Sequence, residues 1–323
     1  MTAVVILAAI AVPGLISPAA RTAKTPLPGL SATTGSSATT GLSATTGSVI
    51  RLVYRALQPG EPILVFLDPD ASVQSAVVTF GDQTAALRPA RPALTSPTVS
   101  GNPAAGGDFA FLGIDVQAKP GPYTIEVKIW RAGGVVEKVR KEILVVERKF
   151  PSTKLTLDPN YVTPPASVRE RIKRESELVA LALSVVTPEW LGDGAFVVPN
   201  PAPSWSNFGQ RRLNNDVVQS LHTGLDLRVP FGEPIKAANA GRVVLASDLY
   251  MGGRTVIIDH GLGVFSTYGH MSELLVKRGD VVTKGRTVGL CGSSGRSTGP
   301  HLHWSFRILE ARIDPDAMLR LPL

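Results

Sequence analysis

From about residue 205 to its end, this chain has no long stretch with the apolar period of a helix, and glycine recurs throughout. Short runs rich in β-branched and aromatic residues stand between the glycines: Val243-Val244-Leu245, Thr255–Ile258, Val264–Tyr268, Val281-Val282 and His303–Ile308. Gly252-Gly253, Gly261–Gly263 and Gly285 fall between them. Such punctuation gives strands joined by turns, so an all-β unit is expected over 205–323. All five histidines of the chain lie inside this region, between His222 and His303.

Two of them form His301-Leu302-His303. In an extended strand, residues i and i+2 leave the same face about 6.5 Å apart, so both rings can reach one metal or one reacting group. The partner stretch is His222-Thr223-Gly224-Leu225-Asp226, where Gly224 and the nearby Pro230 disfavour a helix. In extended chain i and i+4 again share a face. His222, Asp226 and one of His301 and His303 would make a two-histidine, one-carboxylate set. Three protein ligands leave a fourth tetrahedral position for water, the catalytic pattern for zinc. The competing reading of Asp226 is a turn-capping carboxylate. Cys291 is the single cysteine, which excludes intrachain disulfides and the paired-cysteine zinc motifs; its apolar neighbours mark it as a small buried hydrophobe.

The rest of the chain divides by composition. Ala3 to Ile16 is almost wholly apolar but shorter than a membrane span and broken by Pro13-Gly14, so residues 1–20 are expected to be a signal peptide or an anchor. Ser-Ala-Thr-Thr-Gly then repeats three times, and 21–48 reads as a low-complexity Ser/Ala/Thr/Gly linker. Residues 49–150 carry six or seven short strands, among them Ile50–Ala56, Ile63–Leu67, Val73–Phe80, Phe109–Val116 and Val135–Val146. These predict an immunoglobulin-like β-sandwich that serves as a spacer or partner-binding module. A connecting segment, 151–204, holds a helix over 167–186 with a Ser167–Glu170 capping box, a solvated charged face over Arg169–Glu177, and a rigid Pro199–Pro203 linker.

The formal charge of +7 is spread out, with 12 Lys/Arg against 10 Asp/Glu in 49–150 and 14 against 10 in 201–323. That lacks the concentrated basic stripe of a nucleic-acid groove, and no nucleic-acid partner is expected.

The ordered motifs His222-x-x-x-Asp226, Tyr268-Gly269-His270-Met271-Ser272 and Gly295-Arg296-Ser297-Thr298-Gly299-Pro300-His301-Leu302-His303 resemble the lysostaphin/LytM family of peptidoglycan zinc metallopeptidases. Ile257–Gly261 and Val276–Gly285 strengthen the likeness, which covers roughly 205–318 and does not extend to the N-terminal part. The resemblance implies a LytM-type, duplicated hybrid motif-like fold and a Zn2+ cofactor. It implies His222, Asp226 and His303 as metal ligands and His270 and His301 as the catalytic pair, with base and oxyanion roles left undivided between them. It implies a zinc endopeptidase cutting peptide bonds in peptidoglycan stems or crosslinks, in a periplasmic, cell-envelope or secreted location. The sandwich could engage a protein partner, and the N-terminus could anchor the chain to a membrane.

His260, after a strand end, is read as structural. Arg211 or Arg212 could meet a substrate carboxylate, with a surface charge as the alternative, and Asn214 and Asn215 could line the groove. The rival functions are a non-catalytic wall-binding or hydrolase-regulating protein on the same fold and an iron oxygenase, since two histidines and a carboxylate also hold non-haem iron. Presence of all five residues favours catalysis over the first, and the His-x-x-x-Asp spacing disfavours the second.

Overall fold

The computed structural model describes residues 48–89, 107–155, 164–214 and 217–323. The apolar N-terminal run, the repeats up to residue 47 and Asn215 lie outside the described residues. The protein is mainly β, and no helix among the described residues is long and apolar enough to cross a membrane.

The N-terminal unit has eight strands: β1 (Ile50–Val53), β2 (Pro62–Leu67), β3 (Val73–Phe80), β4 (Gln83–Ala86), β5 (Arg88–Pro89), β6 (Asp108–Gly113), β7 (Gly121–Arg131) and β8 (Val136–Val145). They form two four-stranded antiparallel sheets, ordered β1-β2-β6-β5 and β4-β3-β7-β8. β7 alternates as its sequence requires, with Ile125, Val127 and Ile129 buried. β2 and β6 do not alternate. Pro62–Leu67 is buried throughout, as is Phe109–Gly113.

The reason is that their sheet is covered on both faces. Ile63, Val65, Ala110 and Leu112 point into the core between the two sheets. Leu64, Phe66, Phe109 and Phe111 point the other way, into a core shared with the C-terminal unit. The N-terminal unit is therefore packed against its neighbour rather than held off as a spacer. At Gly113 a Cβ would lie 2.6 Å from the Ala311 Cβ, so only glycine permits this approach. Asp115 locks the contact by accepting from the Arg312 backbone N–H at 2.9 Å and from its guanidinium at 2.6 and 2.9 Å.

β9 (Ser152–Leu155) leads to helix α1 (Ala166–Ser184), one residue earlier at its start and two at its end than expected. The capping box does not form. Pro165, with φ −53° and ψ 148°, supplies the extended cap residue, so the helix begins at Ala166 and Ser167 falls inside the first turn. Val179, Ala182 and Leu183 pack on Leu245, Leu249, Ile257 and Phe265, whereas Leu178 remains exposed. The charged stretch of α1 also docks: Glu175 accepts from the Tyr250 N–H at 2.7 Å, and Arg171 donates to the Asp248 carbonyl at 3.3 Å. The Pro199–Pro203 stretch is no free linker, because Lys236 N–H donates to Pro199 O and Arg228 N–H to Pro203 O, both at 2.9 Å. Trp190 and Phe196 of the same connecting segment belong to the shared core, with Trp190 against Phe111 at 4.9 Å between ring centroids.

The C-terminal strands are β10 (Arg211–Asn214), β11 (Val217–Leu221), β12 (Leu225–Leu227), β13 (Pro234–Lys236), β14 (Gly241–Leu249), β15 (Gly253–Asp259), β16 (Val264–Leu274), β17 (Val281–Val282), β18 (Thr287–Cys291), β19 (Leu302–Ile308) and β20 (Ala311–Ile313). A five-residue helix α2 (Pro315–Leu319), capped by Asp314, is the one departure from all-β among the described residues. The central path runs β12-β19-β16-β15-β14-β17. Along β19, Leu302, Trp304, Phe306 and Ile308 fill the shared core, which turns His303 to the opposite face.

Candidate metal centre and catalytic histidines

Sheet register brings the motifs together. Asp226 pairs across β12 and β19 with His303, and His303 pairs across β19 and β16 with Gly269. His301, just before β19, bridges Gly292. Three distant sequence segments thus meet on one face of one sheet.

His270 needs a further device. Strict alternation along β16 would send it to the same side as Tyr268, which is in the core. The register between β15 and β16 steps from Val256↔Tyr268 to Arg254↔Met271, so Gly269 and His270 together face Thr255. This bulge returns Met271 to the core and turns His270 toward the site. His270 has φ +63°, a left-handed conformation uncommon for a residue with a side chain, and is 1% exposed.

The candidate ligand atoms lie close together. His222 Nε2 lies 3.1 Å from His303 Nδ1 and 3.1 Å from Asp226 Oδ1; His303 Nδ1 lies 3.0 Å from the same oxygen. All three residues are buried. His222 Nδ1 is 3.0 Å from the Asn207 carbonyl, which can only accept, so this nitrogen carries the proton and Nε2 presents its lone pair. Acceptor atoms this close need a cation or a proton among them. Their spacing approaches the roughly 3.3 Å ligand–ligand edge of a tetrahedron with bonds of about 2.0–2.1 Å, and the N, N, O donor set suits zinc. Residues and geometry fit a metal here.

Asn207 is a participant that sequence reasoning missed. Its Nδ2 donates to Asp226 Oδ2 at 2.9 Å, and its Oδ1 accepts from the Asp226 N–H at 3.1 Å. Together with its carbonyl on His222, it holds two members of the set at once and leaves Asp226 Oδ1 facing the histidines. The signal was adjacency alone: Asn207 stands just before Phe208-Gly209, in the segment ahead of the first motif. Arg212 lies on the same side of Asp226, with a nitrogen 3.4 Å from Oδ2. It is 3% exposed, so its surface-charge reading is overturned. Arg211 remains exposed, and Asn214 ends β10.

Gly224 is required sterically. A Cβ there would stand 2.6 Å from Trp304 O and 2.8 Å from the His303 ring. The glycine inside His-x-x-x-Asp lets the His303 imidazole lie against the backbone.

Burial raises the cost of ionising Asp226, but His222 and His303 outweigh it and hold the carboxyl well below its ordinary range. Burial pushes His303 down to about 4 and His270 down to about 3, the latter with help from His301 and His303. His270 and His301 stand with ring centroids 4.7 Å apart. His270 Nδ1 donates to Ser294 O at 2.8 Å, and His301 Nδ1 donates to Gly299 O at 2.9 Å. In a ring whose one proton sits on Nδ1, Nε2 is an acceptor. His301 Nε2 is buried without a hydrogen-bond partner, 3.8 Å from Asp226 Oδ1.

His260 stands apart. Its Nδ1 is 2.7 Å from Ala240 O, and its Nε2 is 2.8 Å from Ser266 Oγ, which continues to the Tyr268 hydroxyl. Its structural reading agrees with this geometry. Cys291 is buried, and burial raises its thiol to about 11, well away from nucleophilic use.

Comparison with known proteins matches the same region. Residues 220–315 match peptidase family M23. The peptidoglycan DD-endopeptidase ShyA of Vibrio cholerae is 40% identical over 100 residues, 31% of this chain and 23% of that protein. The DD-carboxypeptidase/endopeptidase Mpg of Neisseria meningitidis is 39% identical over 110 residues, 34% of this chain and 25% of that protein. The chain thus spans about a quarter of the length of these relatives. A Pseudomonas aeruginosa crystal structure provisionally named a peptidase M23 is 28% identical, covering 81% of this chain and 95% of that one, with a TM-score of 0.60. That likeness reaches beyond the C-terminal unit, which the motifs had not anticipated. The C-terminal part of this chain is a peptidase family M23 domain.

Proposed function

We propose that the chain is a zinc-dependent endopeptidase hydrolysing peptide bonds in peptidoglycan stems or crosslinks, in the periplasm or elsewhere in the cell envelope. The observation that carries this reading is the convergence of two sets. His222, Asp226 and His303 form a closed triangle of ligand atoms, and His301 directs a buried, unpartnered Nε2 to the edge of that triangle. A structural metal site would have no use for the second set. The relatives named as peptidoglycan peptidases add support over the domain that contains all five residues.

His222 Nε2, His303 Nδ1 and Asp226 Oδ1 would hold the metal. Zinc in a three-ligand set of this kind acidifies water and polarises a carbonyl. The chain's own contribution is proton handling at fixed atoms. Ser294 O and Gly299 O keep protons on His270 Nδ1 and His301 Nδ1. Either Nε2 can then accept a proton from the attacking water and, as an imidazolium, return it to the leaving amine. A neutral ring in this tautomer has no Nε2–H to offer an oxyanion, so oxyanion donation by either histidine requires its protonated form.

The test is His301→Ala in the full chain. The variant retains zinc at about one per chain by elemental analysis and releases no fragments from purified sacculi, as read by mass spectrometry, while the wild type does both. Wild type without stoichiometric zinc refutes the metallopeptidase reading. Zinc-loaded wild type that releases nothing supports the non-catalytic alternative.

A further inference from the structure

We infer that Trp205 and Arg228 form a subsite beside His301 that takes a carboxylate of the stem peptide; this assignment rests on the peptidase reading above. Trp205 is 41% exposed although its ring centroid lies 5.9 Å from that of the buried His301. The Arg228 guanidinium carbon lies over the same ring, 5.2 Å from the indole centroid. Neither Trp205 nor Arg228 has an assigned part in the metal set.

Arg228 has no acid. Arg131 pairs with Asp70 and Glu137, Arg312 with Asp115 and Arg148 with Asp314, whereas Arg228 meets an aromatic ring. Among the described residues, Arg228 makes no ion pair or side-chain hydrogen bond, and it is exposed. A cation–π contact engages no N–H in a hydrogen bond, so the guanidinium fork, which can meet a carboxylate with two parallel bonds, is free. The indole beside it supplies an apolar wall for the adjoining carbon chain.

The position is built into the backbone. Ser204 bridges Leu227, the Trp205 N–H donates to Asp226 O at 3.0 Å, and the Arg228 N–H donates to Pro203 O at 2.9 Å. Both side chains therefore leave segments hydrogen-bonded to each other around a candidate metal ligand. Their position beside Asp226 is fixed by these backbone hydrogen bonds. Peptidoglycan stems carry free carboxylates close to their cleavable amides, and amidation removes that charge at nearly constant shape.

The experiment compares kcat and KM of the zinc-loaded full chain on two muropeptide dimers, one with free carboxylates and one with the same carboxylates amidated. Wild type is expected to prefer the free form by about fivefold in kcat/KM, with the difference in KM, as befits a partly exposed charge-assisted pair. Arg228→Gln is expected to bring that ratio to about one. Trp205→Ala is expected to reduce it, because the ring holds the guanidinium, and Trp205→Phe to restore it. An unchanged ratio in Arg228→Gln, or a wild type without preference, overturns the subsite while leaving the peptidase reading intact. A zinc-loaded wild type that cleaves neither dimer overturns both.

Discussion

Replacing Asn207 by alanine should weaken the metal site without touching a ligand. The side chain makes two hydrogen bonds to Asp226, at 2.9 Å to Oδ2 and 3.1 Å from the backbone N–H. Asp226 is 1% exposed and Asn207 9%, so water replaces neither bond freely. A charge-assisted bond of this kind contributes about 1.5–3 kcal/mol, and a buried N–H left unpaired costs about 1–3 kcal/mol. Part of that loss falls equally on the metal-free and metal-loaded protein. The part specific to the metal is the freedom Asp226 gains to turn Oδ1 away from His222 and His303. Loss of partners that orient a ligand typically costs about 10–100-fold in metal affinity, or about 1.4–2.7 kcal/mol. Competition against a chromophoric zinc chelator measures this directly, with circular dichroism to verify the fold. Asn207→Asp should lose at least as much at neutral pH, since it sets a second carboxylate against Asp226 Oδ2. A zinc dissociation constant within twofold of wild type in a folded Asn207→Ala protein would refute the orienting role.

Three further outcomes follow from the packing. Gly224→Ala should abolish stoichiometric zinc binding in elemental analysis, because its Cβ would meet Trp304 O at 2.6 Å and the His303 ring at 2.8 Å. His260 is fully buried with its pKa pushed down to about 4, so it is neutral in the folded chain while the unfolded chain binds a proton near pH 6.5. Its contribution is thus present above about pH 6.5 and lost as pH falls toward 4, about 3 kcal/mol in all, and His260→Gln should flatten the pH dependence of urea unfolding over that window. A fragment starting at residue 187 should melt below the full chain and aggregate in calorimetry, since it uncovers Trp190, which meets Phe111, and Ala311 and Ile313, which lie against Gly113.

What the sequence made legible was whatever a local period or a spacing encodes. His301 and His303 leave one strand face because the pleat has a period of two, and Leu302 and Trp304 confirm the other face as core. The β17 boundaries at Val281–Val282 and those of β3 at Val73–Phe80 followed from apolar runs with turn residues beside them. What escaped depends on register between segments far apart in the chain. His270 needs a bulge opposite Thr255, and no periodicity in Tyr268–Ser272 announces one. Asn207 reaches Asp226 across 19 positions through a backbone turn that has no pattern of its own. The capping box failed for a local reason: the Pro164-Pro165 pair set the helix start before Ser167 could. Arg212 looked like surface because charge predicts exposure in general, and the carboxylate it meets when buried, Asp226, stands 14 positions away.

The unbroken apolar runs within Pro62–Leu67 and Phe109–Gly113, read above only as strands, argue most about the role of the N-terminal unit. A strand of a free two-sheet module alternates, since one of its faces meets water. These two do not, because the second face lies on the C-terminal core. The contact continues to the metal-site strap. Val116 of the N-terminal unit packs with Phe208 and with Leu225, the residues that follow Asn207 and precede Asp226. Arg148 lies over the rings of Phe150 and Phe208 and pairs with Asp314 in the same joint. Asn207 is thus anchored through Phe208 to the N-terminal unit, and Asp226 through Leu225 to the same cluster. A displacement of that unit by a few tenths of an ångström would move the Asn207–Phe208 segment that orients two of the three candidate ligand residues. The N-terminal sheets thus form one wall of the scaffold around the site, and the likeness to the Pseudomonas aeruginosa structure extends over 81% of this chain.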